Sequence, residues 1–368
     1  MESEGRQRSL FRVKLKQGGG LRARAAAVKE LEERLMREGE ERIGSGRVQD
    51  ERKHTQRMVL RDESGNRLHW IKLGKLGSGQ FGDVYRAQFW HNLDFVAVKE
   101  IRNRGMMRSS DDAVSKVEKE LRVMQLLKHP NIVRCYGMES GQGTTKFVFL
   151  EYCAEGHLRG LVDSWKSSLS WRAGEGSMSG TVVPLKIVCK YTMQLAWGLD
   201  HMHKRGVIHQ DIKALNILVA DNGNSVKLSD LGEAVEKPPN KTWTDVAPRN
   251  IRGSPGHWAP ELLRLSKDNA DFGPKIDVWA FGCVVTEMLT GHKPEDMIWF
   301  GKKSPESKGE ILWRVHKMPA AELVLPFREF LGDAFPEACA FLDACFTINP
   351  RHRPSAAGLL QIPFLDCR

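Results

Sequence analysis

Four short stretches of the chain carry residue types that can approach a phosphate or take part in acid–base chemistry. In "GSGQFGDV", Gly77, Gly79 and Gly82 are spaced G-x-G-x-x-G with Val84 next but one. Glycines at such spacing let backbone N–H groups approach a phosphate, because no side chain stands in the way. A dinucleotide-binding turn or a chance hairpin gives the same three glycines, but the first needs a helix straight after the third glycine and "DVYRAQF" reads as a strand. Fifteen residues past Val84, "VAVK" sets Lys99 on an apolar run. There it is either an exposed strand-edge lysine or a phosphate-binding lysine held by an acid. Glu120 in "VEKELRVMQLLKHPNIV" is the acid of choice: on a helix it lies with Met124 and Leu127 on adjoining turns, while Glu118 points about 160° away. The fourth stretch, "VIHQDIKALNILV", brings His209, Asp211, Lys213 and Asn216 into one loop running into a buried strand. Beside the catalytic-looking Asp211 stands an uncharged amide, Gln210.

The elements that must hold these residues change type along the chain. From "RLHWIKLGKLG" onward, the Gly-punctuated alternating runs "IKLGKLGSG", "GDVYRAQF" and "DFVAVKEI" predict strands with tight turns. A polar helix with an apolar stripe follows near 111–127, then two more strands ending in "KFVFLEYC". After Glu155 the pattern turns helical: "VVPLKIVCKYTMQLAWGLDHMH" is amphipathic, and "KIDVWAFGCVVTEMLTG" is apolar on most sides and therefore buried. The Ser/Gly-rich insertion "DSWKSSLSWRAGEGSMSGT", 163–181, reads as a surface loop. The expected fold class is α+β, with a strand-rich small lobe joined to a helix-rich large one.

Residues 1–66 differ in texture, being rich in Arg, Lys, Glu and Gly. Within them Leu21 to Ile43 has the alternating charge of an exposed helix, with a thin stripe of Val28, Leu31, Leu35 and Ile43. This segment is read as a solvated, partly ordered extension, with docking of a partner through 21–43 as the alternative.

The chain has 368 residues and 41% apolar content, enough to bury a sizeable core. Its 56 basic and 46 acidic residues give a net charge of +10, which suits acidic partners such as nucleotides but is also the signature of a solvated basic face. Seven scattered cysteines without a C-x-x-C predict neither a disulfide framework nor a zinc site, and point to a reducing compartment. No apolar run approaches the roughly 18 residues of a membrane span, and the N-terminus lacks the apolar stretch of a signal peptide. The expected location is cytoplasmic.

Taken in order and spacing, "GSGQFGDV", "VAVK", "HQDIKALN", "SDLGEA", "WAPELL", "DVWAFG" and "NPRHRPSA" resemble the eukaryotic protein kinases from about Trp70 to Leu365. "VEKELRVMQLLKHPNIVRCYG" and "RPSAAGLLQIPFL" are most similar to the mitogen-activated protein kinase kinase kinase group, with tyrosine-kinase-like serine/threonine kinases as second choice. The resemblance implies a bilobal fold over residues 67–366, with an N-lobe at about 67–150 and a C-lobe at about 154–366. It implies ATP and Mg²⁺ as cofactors, a serine/threonine protein substrate, and no nucleic-acid partner.

Site residues follow from the same resemblance. Asp211 accepts or orients the substrate hydroxyl proton, Lys213 neutralises charge on the transferring group, Lys99 and Glu120 form the phosphate-binding pair, and Asn216 and Asp230 hold the metal. Nucleotide contacts fall on Leu76, Gly77, Ser78, Gly79, Gly82, Val84, Ala97, Lys99, Leu150, Glu151, Cys153, Asn216, Leu218 and Asp230, with Leu150 as gatekeeper. Asp277 and Trp279 are expected to anchor the catalytic loop, and Glu261 to pair with Arg353.

Several positions depart from the family pattern. Gln210 replaces the usual arginine, which removes one electrostatic switch of phosphorylation. Leu231 stands for phenylalanine, and Glu233 is unfamiliar after Gly232. His157 and Leu215 occupy places where arginine-selecting kinases carry acids, whereas Ser254 and Lys213 fit the serine/threonine type. An active kinase and a kinase-fold scaffold without turnover are both carried forward.

Overall fold

The computed structural model describes residues 59–61, 67–79, 82–89, 92–101, 120–141, 145–172, 181–247, 252–263, 272–293, 331 and 334–366. The expected helix at 21–43 and the position of Glu118 lie outside them. The chain divides into two compact units, one within Met1–Gly77 and Tyr85–Val98, the other within Ser78–Val84 and Lys99–Arg368.

The first unit holds β1 (Val59–Arg61), paired antiparallel with β2 (Arg67–Gly79), and the larger part of β3 (Gly82–Phe89) and β4 (Phe95–Ile101), which follow in that order in the sheet. In β4 the run Val96 to Glu100 is buried throughout, as befits a β-branched strand covered on both faces.

In the second unit β5 (Cys135–Ser140) and β6 (Lys146–Glu151) form an antiparallel hairpin, with Cys135 opposite Leu150 and a bulge at Gly137. β7 (Val207–Ile208) pairs β10 (Val235–Glu236), and β8 (Ile217–Ala220) pairs β9 (Ser225–Leu228). The β8–β9 turn passes through Asp221, Asn222 and Gly223, all at positive φ, the conformation that Asp, Asn and Gly tolerate best.

Among the described residues this unit also holds four longer helices: α1 (Leu158–Arg172), α2 (Leu185–Lys204), α3 (Lys275–Thr290) and α4 (Pro336–Cys345). α2 buries Val188, Tyr191, Thr192, Leu195, Ala196, Leu199 and Met202, the i, i+3, i+4 stripe of an amphipathic helix. α3 is buried from Ile276 to Thr290, so its polar groups are satisfied internally. Thr286 and Thr290 donate to the carbonyls one turn back, and Glu287 pairs with Arg159 at 2.6 Å. Gly282 is required here, since a Cβ would stand 2.7 Å from the Cβ of Cys345 on α4.

Two expectations are corrected. The 163–181 insertion is helical as far as Arg172, as part of α1, and 173–180 lie outside the described residues. Leu158, Leu161, Val162 and Trp165 give α1 a core-facing stripe, while Ser167 and Ser168 turn their hydroxyls back onto the carbonyls of Asp163 and Trp165. Serine content thus misled the reading where apolar spacing decided. Cys189 is disulfide-bonded, although Cys135, Cys153, Cys283, Cys339 and Cys345 are free. A single bond closed by tertiary structure leaves no spacing pattern to read. Among the described residues no helix is long and apolar enough to cross a membrane.

Candidate active site

Lys99 is 7% exposed, and its ammonium lies 2.7 Å from Glu120 Oε1 and 3.3 Å from Asp230 Oδ1. Glu120 opens the described helical stretch 120–126, one turn before the buried Met124, which keeps its carboxylate on the core side. Burial alone would lower the pKa of Lys99, but the Glu120 and Asp230 carboxylates outweigh it and hold the ammonium above its usual value. Lys99 is therefore a fixed cation whose second carboxylate, Asp230, remains half-open to solvent.

The loop after β7 hangs from one buried side chain. Asp277 at the start of α3 accepts the backbone N–H of His209 at 2.8 Å and of Gln210 at 3.0 Å, and faces His203 Nε2 at 2.9 Å. His209 Nε2 lies 3.0 Å from the carbonyl of Ser229, which can only accept, so the ring carries its proton there. His209 Nδ1 is thereby left to accept the N–H of Asp211 at 3.3 Å. The backbone entering Asp211 is fixed from two sides. The ring of Trp279, just beyond Asp277 on the same helix, stacks under the Arg353 guanidinium at 5.1 Å. Arg353 is fully buried and forks onto Glu261 at 2.7 and 3.0 Å.

Asp211 accepts hydrogen bonds from three side chains. Oδ2 accepts Lys213 Nζ at 2.7 Å and Asn216 Nδ2 at 2.9 Å, and Oδ1 accepts the Ser254 hydroxyl at 2.9 Å. Lys213 Nζ also reaches Ser254 Oγ at 3.0 Å, closing the triangle. Burial would raise the pKa of Asp211; the hydrogen bond and charge of Lys213, with the Ser254 hydroxyl, bring it below the ordinary carboxylate value. An anion so stabilised is a weak base, better suited to orienting a hydroxyl than to removing its proton early.

Next to this triangle the backbone is forced. Gln210 sits at φ 67 and its buried Nε2 has no hydrogen-bond partner among the described residues. Gly253 adopts φ +83 against the Gln210 carbonyl. His257, 9% exposed, leaves both ring nitrogens without a hydrogen-bond partner among the described residues. Its burial, with the Lys213 charge opposed by Asp211, brings its pKa from 6.5 to about 4, so the ring is neutral.

Asn216 and Asp230 form a donor set of one amide and one carboxylate. The Asn216 amide nitrogen is spent on Asp211 O and Oδ2, which leaves its carbonyl oxygen as the atom that could face a cation. No group of three His, Cys, Asp or Glu that could hold a metal occurs among the described residues. Such a sparse set fits Mg²⁺, which keeps several waters and shares phosphate oxygens, and it does not fit an all-protein cage.

The remaining expected nucleotide contacts are distributed as follows. Leu76, Gly77 and Ser78 are exposed near the end of β2, and a Cβ at Gly77 would meet nothing within 4 Å. Gly79 ends β2, Val84 is half-buried on β3 and Ala97 is buried on β4. Gly82 differs from Gly77 in its reason: at φ +143, a Cβ would lie 2.1 Å from the carbonyl of Glu100. Leu150 and Glu151 end β6, Leu218 is half-buried on β8, and Cys153 follows β6 with its thiol pKa raised to about 12, chiefly by burial and then by Glu151. Glu151 Oε1 is held by Lys227 at 3.0 Å, a contact that no sequence spacing signals.

Residues 70–365 match the family described as the protein kinase domain. The chain belongs to that family. It is 30% identical over 334 residues to the MAP kinase kinase kinase wis4 of Schizosaccharomyces pombe, covering 88% of this chain and 22% of that protein. It is 33% identical over 297 residues to the mitogen-activated protein kinase kinase kinase 1 of Arabidopsis thaliana, covering 80% of this chain and 42% of that one. A third relative, the mitogen-activated protein kinase kinase kinase 4 of Mus musculus, is 28% identical over 350 residues, 94% of this chain and 19% of its own length. The chain therefore spans well under half the length of these relatives. Protein kinases use ATP and a divalent metal to phosphorylate protein substrates, and the Lys99, Asp211 and Asp230 geometry is compatible with that use.

Two site features lay beyond the sequence reading. Gly253, directly before Ser254, is needed for its positive φ, and the only signal was its place in "RGSPG". Arg252 pairs with Glu233 Oε2 at 3.1 Å across 19 residues. Nothing periodic marks that contact.

Proposed function

We propose that this chain is an ATP-dependent protein serine/threonine kinase that uses Mg²⁺ and phosphorylates a protein substrate in a cytoplasmic signalling cascade. The names of its relatives point to a MAP kinase kinase as the substrate class. The observation that carries this reading is the triangle of Asp211, Lys213 and Ser254, already closed at 2.7, 2.9 and 3.0 Å. A serine hydroxyl at that corner supports serine/threonine over tyrosine substrates. Residues 67–366 make up the kinase domain in this reading, and residues 1–66 a solvated extension, with docking of a partner through 21–43 as the alternative.

When bound, Mg-ATP supplies the electrophilic γ-phosphorus. Lys99, locked by Glu120, binds phosphate charge; the Asn216 carbonyl oxygen and Asp230 hold the cation. Lys213 offsets charge on the transferring group while holding Asp211 in place. Asp211 accepts a hydrogen bond from the substrate hydroxyl and takes its proton late, as the new O–P bond forms and the bond to the leaving β-phosphate oxygen breaks. Neither Gln210, Leu231 nor Glu233 removes a member of this set.

The test is turnover of Mg-ATP on a generic serine/threonine protein substrate by purified protein. Asp211→Asn should reduce kcat by at least about a thousandfold with nucleotide affinity retained, whereas Lys99→Met should damage both. Wild-type protein that binds nucleotide with no transfer would instead identify a scaffold.

A further inference from the structure

Glu233 is a positioning residue for the substrate-binding segment in a reading that rests on the kinase assignment above: we infer that its carboxylate, through Arg252, keeps Ser254 in register with Asp211 without any added phosphate. Glu233 closes the short turn Leu231–Glu233 that directly follows Asp230, so its backbone position is tied to the metal-binding side of the site. Its carboxylate, 15% exposed, reaches the Arg252 guanidinium at 3.1 Å. Arg252 is fixed a second time through its carbonyl, which accepts the Trp258 indole N–H at 2.7 Å. Gly253 then rests on the Gln210 carbonyl, and Ser254 donates to Asp211 and accepts from Lys213.

The chain of contacts is short and continuous, from Asp230 through Glu233, Arg252 and Ser254 back to Asp211. Among the described residues its ionic link is the Glu233–Arg252 pair. Gln210 offers no cation to an incoming phosphate, so the anion that orders the segment is one the chain itself encodes. Arg252 is 45% exposed, which keeps the pair modest in strength. That suits a residue that biases a loop rather than one that holds the fold. A second carboxylate of the segment, Glu236, meets Arg122 at 3.3 Å, but Arg122 is 71% exposed and, among the described residues, neither side chain hydrogen-bonds to Asp211, Lys213 or Ser254. It serves as the control.

The experiment compares Glu233→Gln, Arg252→Gln, the exchanged pair Glu233→Arg with Arg252→Glu, and Glu236→Gln, all in the full chain. Each single change at the pair should raise KM for a serine peptide about three- to fivefold, with kcat and the KM for ATP within about twofold. The exchanged pair should recover most of that loss, and Glu236→Gln should change little. Amide hydrogen exchange over 252–258 should quicken in Glu233→Gln and in Arg252→Gln, a readout that needs no turnover. Should Glu233→Gln not fold, Arg252→Gln carries the same comparison. An unchanged peptide KM and unchanged exchange in both single variants overturn the proposal. So does an exchanged pair as impaired as the singles, or an equal effect from Glu236→Gln. A wild-type protein with no transfer to any peptide refutes the kinase reading itself, and the exchange measurement then still decides whether Glu233 orders the segment.

Discussion

Gly253 lies so close to the Gln210 carbonyl that a Cβ on it would come within 2.3 Å of that oxygen and 3.3 Å of Asp211 Oδ1. Both residues are left-handed, φ +83 and 67; glycine takes that conformation freely, whereas in Gln210 it costs energy and is held by its surroundings. Gly253→Ala must push the two segments apart. A displacement near 1 Å at Ser254 should lower kcat by about a hundredfold while Lys99–Glu120 and nucleotide affinity stay as they are. Steady-state kinetics with a nucleotide titration check it; an alanine variant with near wild-type kcat would mean that the contact is dispensable.

His257 gives a pH dependence of stability. Its folded pKa, about 4, is below the unfolded value near 6.5, so the unfolded chain binds the extra proton between these limits. The stabilisation is complete above about pH 6.5 and is lost as pH falls toward 4, by about 3 kcal/mol at the acid end. His257→Phe should flatten part of that fall in urea titrations at pH 7.5, 6 and 5. His129 and His201, also lowered chiefly by burial, keep the remainder.

Thr242 and Thr244 lie midway between Asp230 and Glu261, yet they differ in environment. Thr242 caps the short helix Trp243–Val246 in a reciprocal box with Asp245, so a phosphate there would replace a hydrogen bond with like-charge repulsion. Thr244 is exposed and free of that conflict. The double variant Thr242→Ala, Thr244→Ala should keep most of wild-type kcat, because Gln210 offers no charge to a phosphate. Gln210→Arg should make kcat more sensitive to phosphatase. A wild-type enzyme that loses nearly all activity on dephosphorylation at these threonines contradicts the idea.

Peptide choice follows from His157 and Leu215. Leu215 is 53% exposed, His157 Nδ1 is occupied by the N–H of Gly160, and neither is an acid. Glu155 is engaged with the N–H of Asn222 at 2.8 Å. A peptide library should show no selection for arginine two or three residues before the phosphoacceptor. Strong selection would mean that Glu155 leaves Asn222 to reach the peptide.

The parts legible in the sequence were those set by local pattern. The α2 stripe, the mostly apolar α3, and the short strand runs around Lys99 each follow from periodicity or composition within one element. Glu120 could be separated from Glu118 because helical geometry alone puts them on different sides. What escaped was set by contacts distant in sequence. The orphan ring of His257 depends on burial by segments that no local window contains. The pairing of Glu233 with Arg252 and of Glu151 with Lys227 links side chains 19 and 76 residues apart by number, and α1 runs into a serine-rich stretch because Trp165 finds the core.

Cys153 has a pharmacological consequence. It follows β6 in the segment expected to face adenine, and a partly buried thiol there invites attack by an electrophilic inhibitor. With the thiol pKa raised to about 12, only on the order of one molecule in 10⁵ carries a thiolate at pH 7, against a few per cent for a free cysteine. An acrylamide placed beside it would alkylate sluggishly, and covalent selectivity at this position would have to come from long residence in the reversible complex rather than from the reactivity of the sulfur.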